Sequence, residues 1–399
     1  MEKAPKGIRL QIAILGRVNS GKSSFLNLVS GQDTSITSPI KGTTTDVVEK
    51  NQELQPIGPI TWLDTAGFAD DSDLGDKRLA KTLKVLDRAD IAVLVLEGSK
   101  IGPVEEEIIK LADSKKIPLI KIFNKNDLYR VTENGIRVNS TDLSSRDELL
   151  SALKEEILKI CPADFIKPAP LLGDLAPEGS TVVMIVPIDF EAPKGRLILP
   201  QVQAIRDCLD HDQTAIITKE SGYPNVLKNL RNKPSLVVCD SQGVDFMVKN
   251  TPRDIACTTF SMLFARQKGD LGMFIKGAKA ISTLKDGDKV LISECCTHHA
   301  SDDDIGKVKI PNLLKKETGK KLDISFASGH VFPDNLSQYQ LIIQCGGCMF
   351  GRKEILSRLA KADEAGVPIT NYGVCISALK GVLDITVKPF KDTADVAKD

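Results

Sequence analysis

An apolar run over residues 8–15 leads directly into Gly16-Arg-Val-Asn-Ser-Gly21-Lys22-Ser23, and a helical pattern starts immediately behind it. A strand that turns through glycines into a helix gathers several backbone N–H groups at the positive end of the helix, and that is a cradle for phosphate. Lys22 is placed to neutralise β- and γ-phosphate oxygens and Ser23 to offer a hydroxyl to Mg²⁺, with Gly16, Asn19, Ser20, Gly21 and Ser24 lining the loop. Asp64-Thr-Ala-Gly67 ends the next strand candidate, residues 60–63. There a carboxylate can reach Mg²⁺ through water, and the Gly67 N–H can meet a γ-phosphate. Asn124-Lys125-Asn126-Asp127 follows the apolar run 119–123, the place for a carboxylate that accepts from N1 and N2 of guanine. Adenine has no matching donor pair.

The remainder of the chain is organised around that site. With 399 residues, at roughly 100–200 per domain, two or three domains are expected. Apolar runs at 8–15, 91–96 and 119–123 alternate with helical patterns at 23–28, 76–86, 105–115 and 147–160, the signature of a parallel sheet covered by helices. Seven prolines lie between Cys161 and Pro200 against six in the first 160 residues, which sets a boundary near 166–179. Beyond it the alternation resumes. Strands are expected at 181–186, 215–218 and 235–239, with helices at 201–209 and 223–230, in a small unit ending near Thr251 and Pro252. A third block has strand candidates at 289–293, 324–327, 339–344 and 368–371 and helices at 260–264, 352–365 and 377–381. The expected fold class is α/β with three domains, a P-loop GTPase at 1–168 followed by two smaller parallel-sheet α/β domains at 169–265 and 266–399.

Composition narrows the function classes. The 53 basic residues balance 53 acidic ones, so no basic arm announces nucleic acid. The amino terminus has no apolar signal core, and the run 91–96 is too short to cross a bilayer, so a cytoplasmic protein without membrane attachment is expected. All nine cysteines fall after residue 160. An odd count in a reducing compartment points to buried thiols plus a metal or redox site.

Over residues 8–160 the motifs, in order, resemble the small GTPases of the translation-factor class, which implies GTP. The fifth motif is represented by Asn139-Ser140-Thr141, with Ser140 expected at the base O6. Phe68 stands where Ras-like GTPases place a water-orienting glutamine, so hydrolysis by this site alone is expected to be slow. Asn19, together with Gly42-Thr-Thr44-Thr-Asp46, resembles the potassium-activated GTPases, in which an asparagine helps hold K⁺ against the phosphates and a second cation supplies charge. Thr44 is the expected switch ligand of Mg²⁺, with Thr43 its near rival.

Two sulfur-rich clusters leave strand ends in the last block: Cys295-Cys296-Thr297-His298-His299 after 289–293, and Cys345-Gly-Gly-Cys348 after 339–344. These ligands suit zinc or an iron–sulfur cluster, and a Cys-x-x-Cys between strand and helix also suits a thiol redox pair. Glu294-Cys-Cys296-Thr-His298-His299, then Asp303-Asp-Ile-Gly306-Lys-Val-Lys-Ile-Pro311, then Cys345-Gly-Gly-Cys348-Met349, behind such a GTPase domain, resemble the HydF family of FeFe-hydrogenase maturases over essentially the whole chain. That resemblance implies a dimeric scaffold that binds a 4Fe-4S cluster through Cys296, Cys345 and Cys348. It further implies that the scaffold carries a transient diiron subcluster made with two radical-SAM maturases and delivers it to apo FeFe hydrogenase, the middle domain mediating dimerisation. The family often has His-Cys-x-x-Cys, whereas Gln344 precedes Cys345 here. The fourth ligand is left to His298, His299, His330, a carboxylate or an exchangeable group. Cys161, Cys208, Cys239, Cys257 and Cys375 read as core, and Cys295 as a spare thiol. The alternatives are a zinc-containing regulatory GTPase acting on RNA or the ribosome, and a GTP-regulated thiol oxidoreductase.

Overall fold

The structure, a computed structural model, describes residues 6–31, 48–64, 83–162, 165, 169–187, 197–295 and 304–390. It divides into two compact units, residues 1–168 and 169–399.

The first unit is built on a six-stranded sheet in the order β2-β3-β1-β4-β5-β6. Its strands are β1 (Leu10–Leu15), β2 (Val48–Leu54), β3 (Gly58–Asp64), β4 (Ile91–Glu97), β5 (Leu119–Asn124) and β6 (Ile136–Val138). All neighbours run parallel except β2 and β3. Every residue of β1 is buried and β4 is buried up to Leu96, because helices cover both faces; such strands read as unbroken apolar runs. One core packs the sheet against Lys22–Ser30 and Arg146–Ile160, and a second packs the other face against Pro103–Ser114. Trp62 is fully buried, edge-on to Phe25 at 6.4 Å, and donates its indole N–H to Gln52 at 2.9 Å. β2 escapes the sequence pattern because this edge strand, Val-Glu-Lys-Asn-Gln-Glu-Leu, buries only its last residue.

The second unit contains two four-stranded parallel sheets, ordered β10-β9-β7-β8 and β12-β11-β13-β14. The first comprises β7 (Thr181–Ile185), β8 (Thr214–Thr218), β9 (Leu236–Cys239) and β10 (Ala256–Thr259). The second comprises β11 (Lys289–Glu294), β12 (Asp323–Ser328), β13 (Leu341–Gln344) and β14 (Ile369–Asn371). One continuous core, from Leu171 to Phe390, runs through both.

Three features differ from the sequence pattern. The middle sheet does not end near Thr251 and Pro252, since β10 follows and pairs with β9. The helix Phe260–Lys268, capped by the Thr259 hydroxyl on the Met262 N–H at 3.3 Å, runs across the division expected at 265–266. The helix expected at 377–381 spans Tyr372–Leu379 and starts at Asn371, whose side chain accepts from the Val374 N–H at 2.9 Å. Six of its eight residues are buried, so no amphipathic period marks where it begins.

Candidate nucleotide and metal sites

The phosphate loop joins β1 to the helix Lys22–Ser30. Gly21, at φ +93°, precedes that helix, and a Cβ there would sit 2.1 Å from Asn124 Nδ2, so only glycine fits. Lys22 is buried and its ammonium donates to the Gly16 and Arg17 carbonyls at 3.0 and 2.7 Å. Burial lowers its pKa, while Asp64 partly offsets the shift. Ser23 donates to Asp64 Oδ2 at 3.5 Å, which brings together the two groups expected around Mg²⁺ from separate strand ends. The Ser20 hydroxyl is buried without a hydrogen-bond partner among the described residues. Asn19 is exposed in a left-handed conformation, φ +65°. The loop's Arg17 is held by Glu105 in a two-point ion pair at 2.6 and 2.9 Å, and Glu105 also accepts from the Gly102 N–H at 2.9 Å. This pair was invisible in sequence because 88 residues separate its members. Thr43, Thr44, Gly67 and Phe68 lie outside the described residues.

At the base end, Asn124 is buried and bridges two loops. Its Nδ2 donates to the Ser20 carbonyl at 2.8 Å, and its Oδ1 accepts from the N–H and hydroxyl of Ser140 at 3.1 and 2.8 Å. Lys125, at φ +58°, pairs with Glu97 at 2.5 Å, and Asp127 is exposed in the turn that follows. The turn thus presents an exposed carboxylate beside the Asn124 amide bridge.

In the second unit, Cys345 and Cys348 occupy the loop at the carboxyl end of β13, where parallel sheets gather their sites. Cys296, His298, His299 and Asp303 lie outside the described residues. Among the described residues no three His, Cys, Asp or Glu side chains converge as a metal site. Cys295, read from sequence as a spare thiol, lies against Cys345: its backbone N–H donates to Cys345 Sγ at 3.1 Å. The Cys295 thiol, the backbone N–H groups of Gly347 and Cys295, and the Arg358 charge together bring the Cys345 thiol down to about 7 against its burial. Burial pushes the Cys295, Cys348 and Cys375 thiols up. Gln344 is 1% exposed, and its amide oxygen is buried without a partner among the described residues.

Buried charge surrounds this loop. Arg358, 3% exposed, donates to Ser293 Oγ at 2.8 Å and to the Gly329 carbonyl at 2.6 Å, and lies over the Phe332 and Phe350 rings at 5.0 and 4.6 Å. His330 Nδ1 is 2.8 Å from Glu354, and its ring stacks on Phe350 at 4.8 Å. Tyr372 donates to Glu294 at 3.3 Å, and burial, then the nearby Cys345, Glu294 and Asp304, raise its pKa. Lys268 donates to the Gly347, Cys348 and Phe350 carbonyls. In sequence it is one basic residue at a helix end, indistinguishable from an ordinary complement to the helix dipole.

Three family models match the chain: a 50S ribosome-binding GTPase over residues 11–125, a hydrogen maturase F dimerization domain over 171–269, and a hydrogen maturase F tetramerization domain over 272–389. The last two together span more than half of it. GTPase Der of Kosmotoga olearia is 29% identical over 202 residues, 47% of this chain and 41% of that protein. The tRNA modification GTPase MnmE of Paraburkholderia xenovorans is 33% identical over 160 residues, 38% of this chain and 34% of that protein. The chain thus spans less than half the length of either relative. The structure of Era from Aquifex aeolicus aligns at a TM-score of 0.30 and 20% identity, covering 55% of this chain and 97% of that one.

Proposed function

Because the chain belongs to the hydrogen maturase F family, carrying that family's dimerization and tetramerization domains behind a GTPase domain, we propose that this GTP-binding hydrogenase maturase is a GTP-hydrolysing carrier for a metal cluster. The GTPase domain binds GTP with Mg²⁺ and hydrolyses GTP. The proposal adds a 4Fe-4S cluster held by Cys296, Cys345 and Cys348, a diiron subcluster as cargo, apo FeFe hydrogenase as recipient, two radical-SAM maturases as suppliers, and K⁺ as the activating ion at Asn19.

One observation carries the cluster reading: of the two thiols in the loop after β13, that of Cys345 meets the end of β11, where Cys295 directs its N–H at Cys345 Sγ and the chain continues into Cys296. Backbone N–H donors on sulfur favour the thiolate, the form that binds iron. The donor set therefore fits a thiolate-bound cluster, whose chemistry when bound is electron storage and attachment of a second metal unit. Gln344 supports a labile fourth position, since an amide oxygen is a poor iron ligand. His330 already engages Glu354 through Nδ1 and offers only Nε2.

Anaerobic reconstitution with iron and sulfide, followed by metal analysis and electron paramagnetic resonance, tests the reading. The expected product carries about four irons per chain, the stoichiometry of this cluster type. Stoichiometric zinc without iron would point to a zinc-containing regulatory GTPase, and a metal-free protein that reduces disulfides to a thiol oxidoreductase.

A further inference from the structure

Lys268 ends the helix Phe260–Lys268, and its ammonium donates to three backbone carbonyls of a single short loop: Gly347 at 3.1 Å, Cys348 at 3.2 Å and Phe350 at 2.8 Å. The residue is 5% exposed and lies over the Phe264 ring at 5.2 Å. All three donors of the ammonium are therefore committed to the loop that bears Cys345 and Cys348, and no carboxylate pairs with it among the described residues. Desolvating an ammonium costs several kcal/mol, which carbonyl dipoles only partly offset. Burial lowers its pKa to about 8, and the sulfurs of Cys348, Cys295 and Cys345 are the neighbours that partly offset that shift. A lysine that served only to pin a loop would be expected at the surface or beside a carboxylate. This one is buried against the sulfur-bearing loop with no carboxylate beside it among the described residues.

We propose that Lys268 is a positioning residue and fixed counter-charge for a thiolate-bound iron–sulfur cluster at Cys345 and Cys348: it holds the loop that presents both sulfurs and raises the reduction potential of the cluster. The inference rests on the cluster reading above. A cluster on cysteine thiolates is anionic and gains a further negative charge when one electron enters, so a buried cation close by favours the reduced form.

The test uses the full chain, reconstituted anaerobically with iron and sulfide, and compares wild type with Lys268→Gln, Lys268→Arg and Lys268→Met by iron analysis and paramagnetic-resonance-monitored redox titration. Gln keeps two donors for the loop and removes the charge, so Lys268→Gln is expected to hold iron as the wild type does, with its midpoint potential moved to more negative values. Lys268→Arg is expected to keep both iron and potential, and Lys268→Met to lose most of the iron. Loss of iron from Lys268→Gln but not from Lys268→Arg also supports the counter-charge. A wild-type potential in Lys268→Gln overturns it, as does equal loss of iron from the Gln and Arg variants. Wild-type protein that takes up no iron fails earlier and differently: it removes the cluster reading, and this inference with it.

Discussion

Asn124 Oδ1 accepts from both the backbone N–H and the hydroxyl of Ser140, at 3.1 and 2.8 Å, while its Nδ2 donates to the carbonyl of Ser20 at 2.8 Å. One buried amide therefore ties the phosphate loop, the base-reading turn and the segment after β6 into a unit. Asn124→Ala leaves those groups without partners and is expected to cost about 1–3 kcal/mol of unfolding free energy. Urea unfolding and GTP titration of one preparation check this; a variant with wild-type stability and affinity would contradict the bridge.

Guanine selectivity is expected to rest on Asp127, whose carboxylate is exposed in the turn behind Lys125. Asp127→Asn exchanges an acceptor for a donor and is expected to favour xanthosine over guanosine nucleotides. Competition against a fluorescent guanine nucleotide measures the switch. Wild-type protein that binds ATP as tightly as GTP would remove the base-reading role.

Lys22→Ala is expected to abolish GTP hydrolysis and leave iron content unchanged, because the phosphate loop and the Cys345 loop belong to different compact units. Hydrolysis by the wild type should be low in Na⁺ and rise in K⁺, and Asn19→Ala should blunt that rise. An undiminished K⁺ response in Asn19→Ala would take Asn19 out of the mechanism.

The Arg17–Glu105 pair predicts a pH signature. Burial raises the Glu105 carboxyl, but Arg17 and backbone N–H groups outweigh it, so its pKa lies below the ordinary carboxylate value. A depressed folded-state pKa gives stability that is fully present above the unfolded value and is lost as pH falls through the folded one. Glu105→Gln is therefore expected to destabilise the protein by about 1.5–3 kcal/mol at neutral pH. The gap from wild type should narrow below pH ~4.5. Denaturation at a series of pH values would show it, and a gap that persists in acid would exclude the ion pair as its source.

Cys296→Ser, Cys345→Ser and Cys348→Ser are each expected to lose most of the iron, whereas Cys375→Ser, at a fully buried position, should keep it. Substitution of His298 should retain the cluster while altering its spectrum or its response to added imidazole or cyanide. Cys295→Ser replaces the thiol donor with a hydroxyl and keeps the backbone N–H to Cys345, so its iron content should also hold. A Cys345→Ser protein that retains a full cluster and still matures hydrogenase would refute the ligand set.

The sequence by itself determined the GTPase module and the location of the sulfur chemistry, for a local reason. A phosphate loop needs its glycines, lysine and serine contiguous, and strands covered on both faces announce themselves as unbroken apolar runs such as 91–96. What lacked a local signature was decided by tertiary structure. β2 shows no apolar run because it is an edge strand, and the helix Tyr372–Leu379 shows no period because it is buried nearly all round. The groups that condition the sites come from far along the chain: Glu105 lies 88 residues from Arg17, Cys295 50 from Cys345, and Lys268 80 from Cys348. Hydrogen-bond partners and charge neighbours depend on proximity in space, and at such separations only the packed core brings them together.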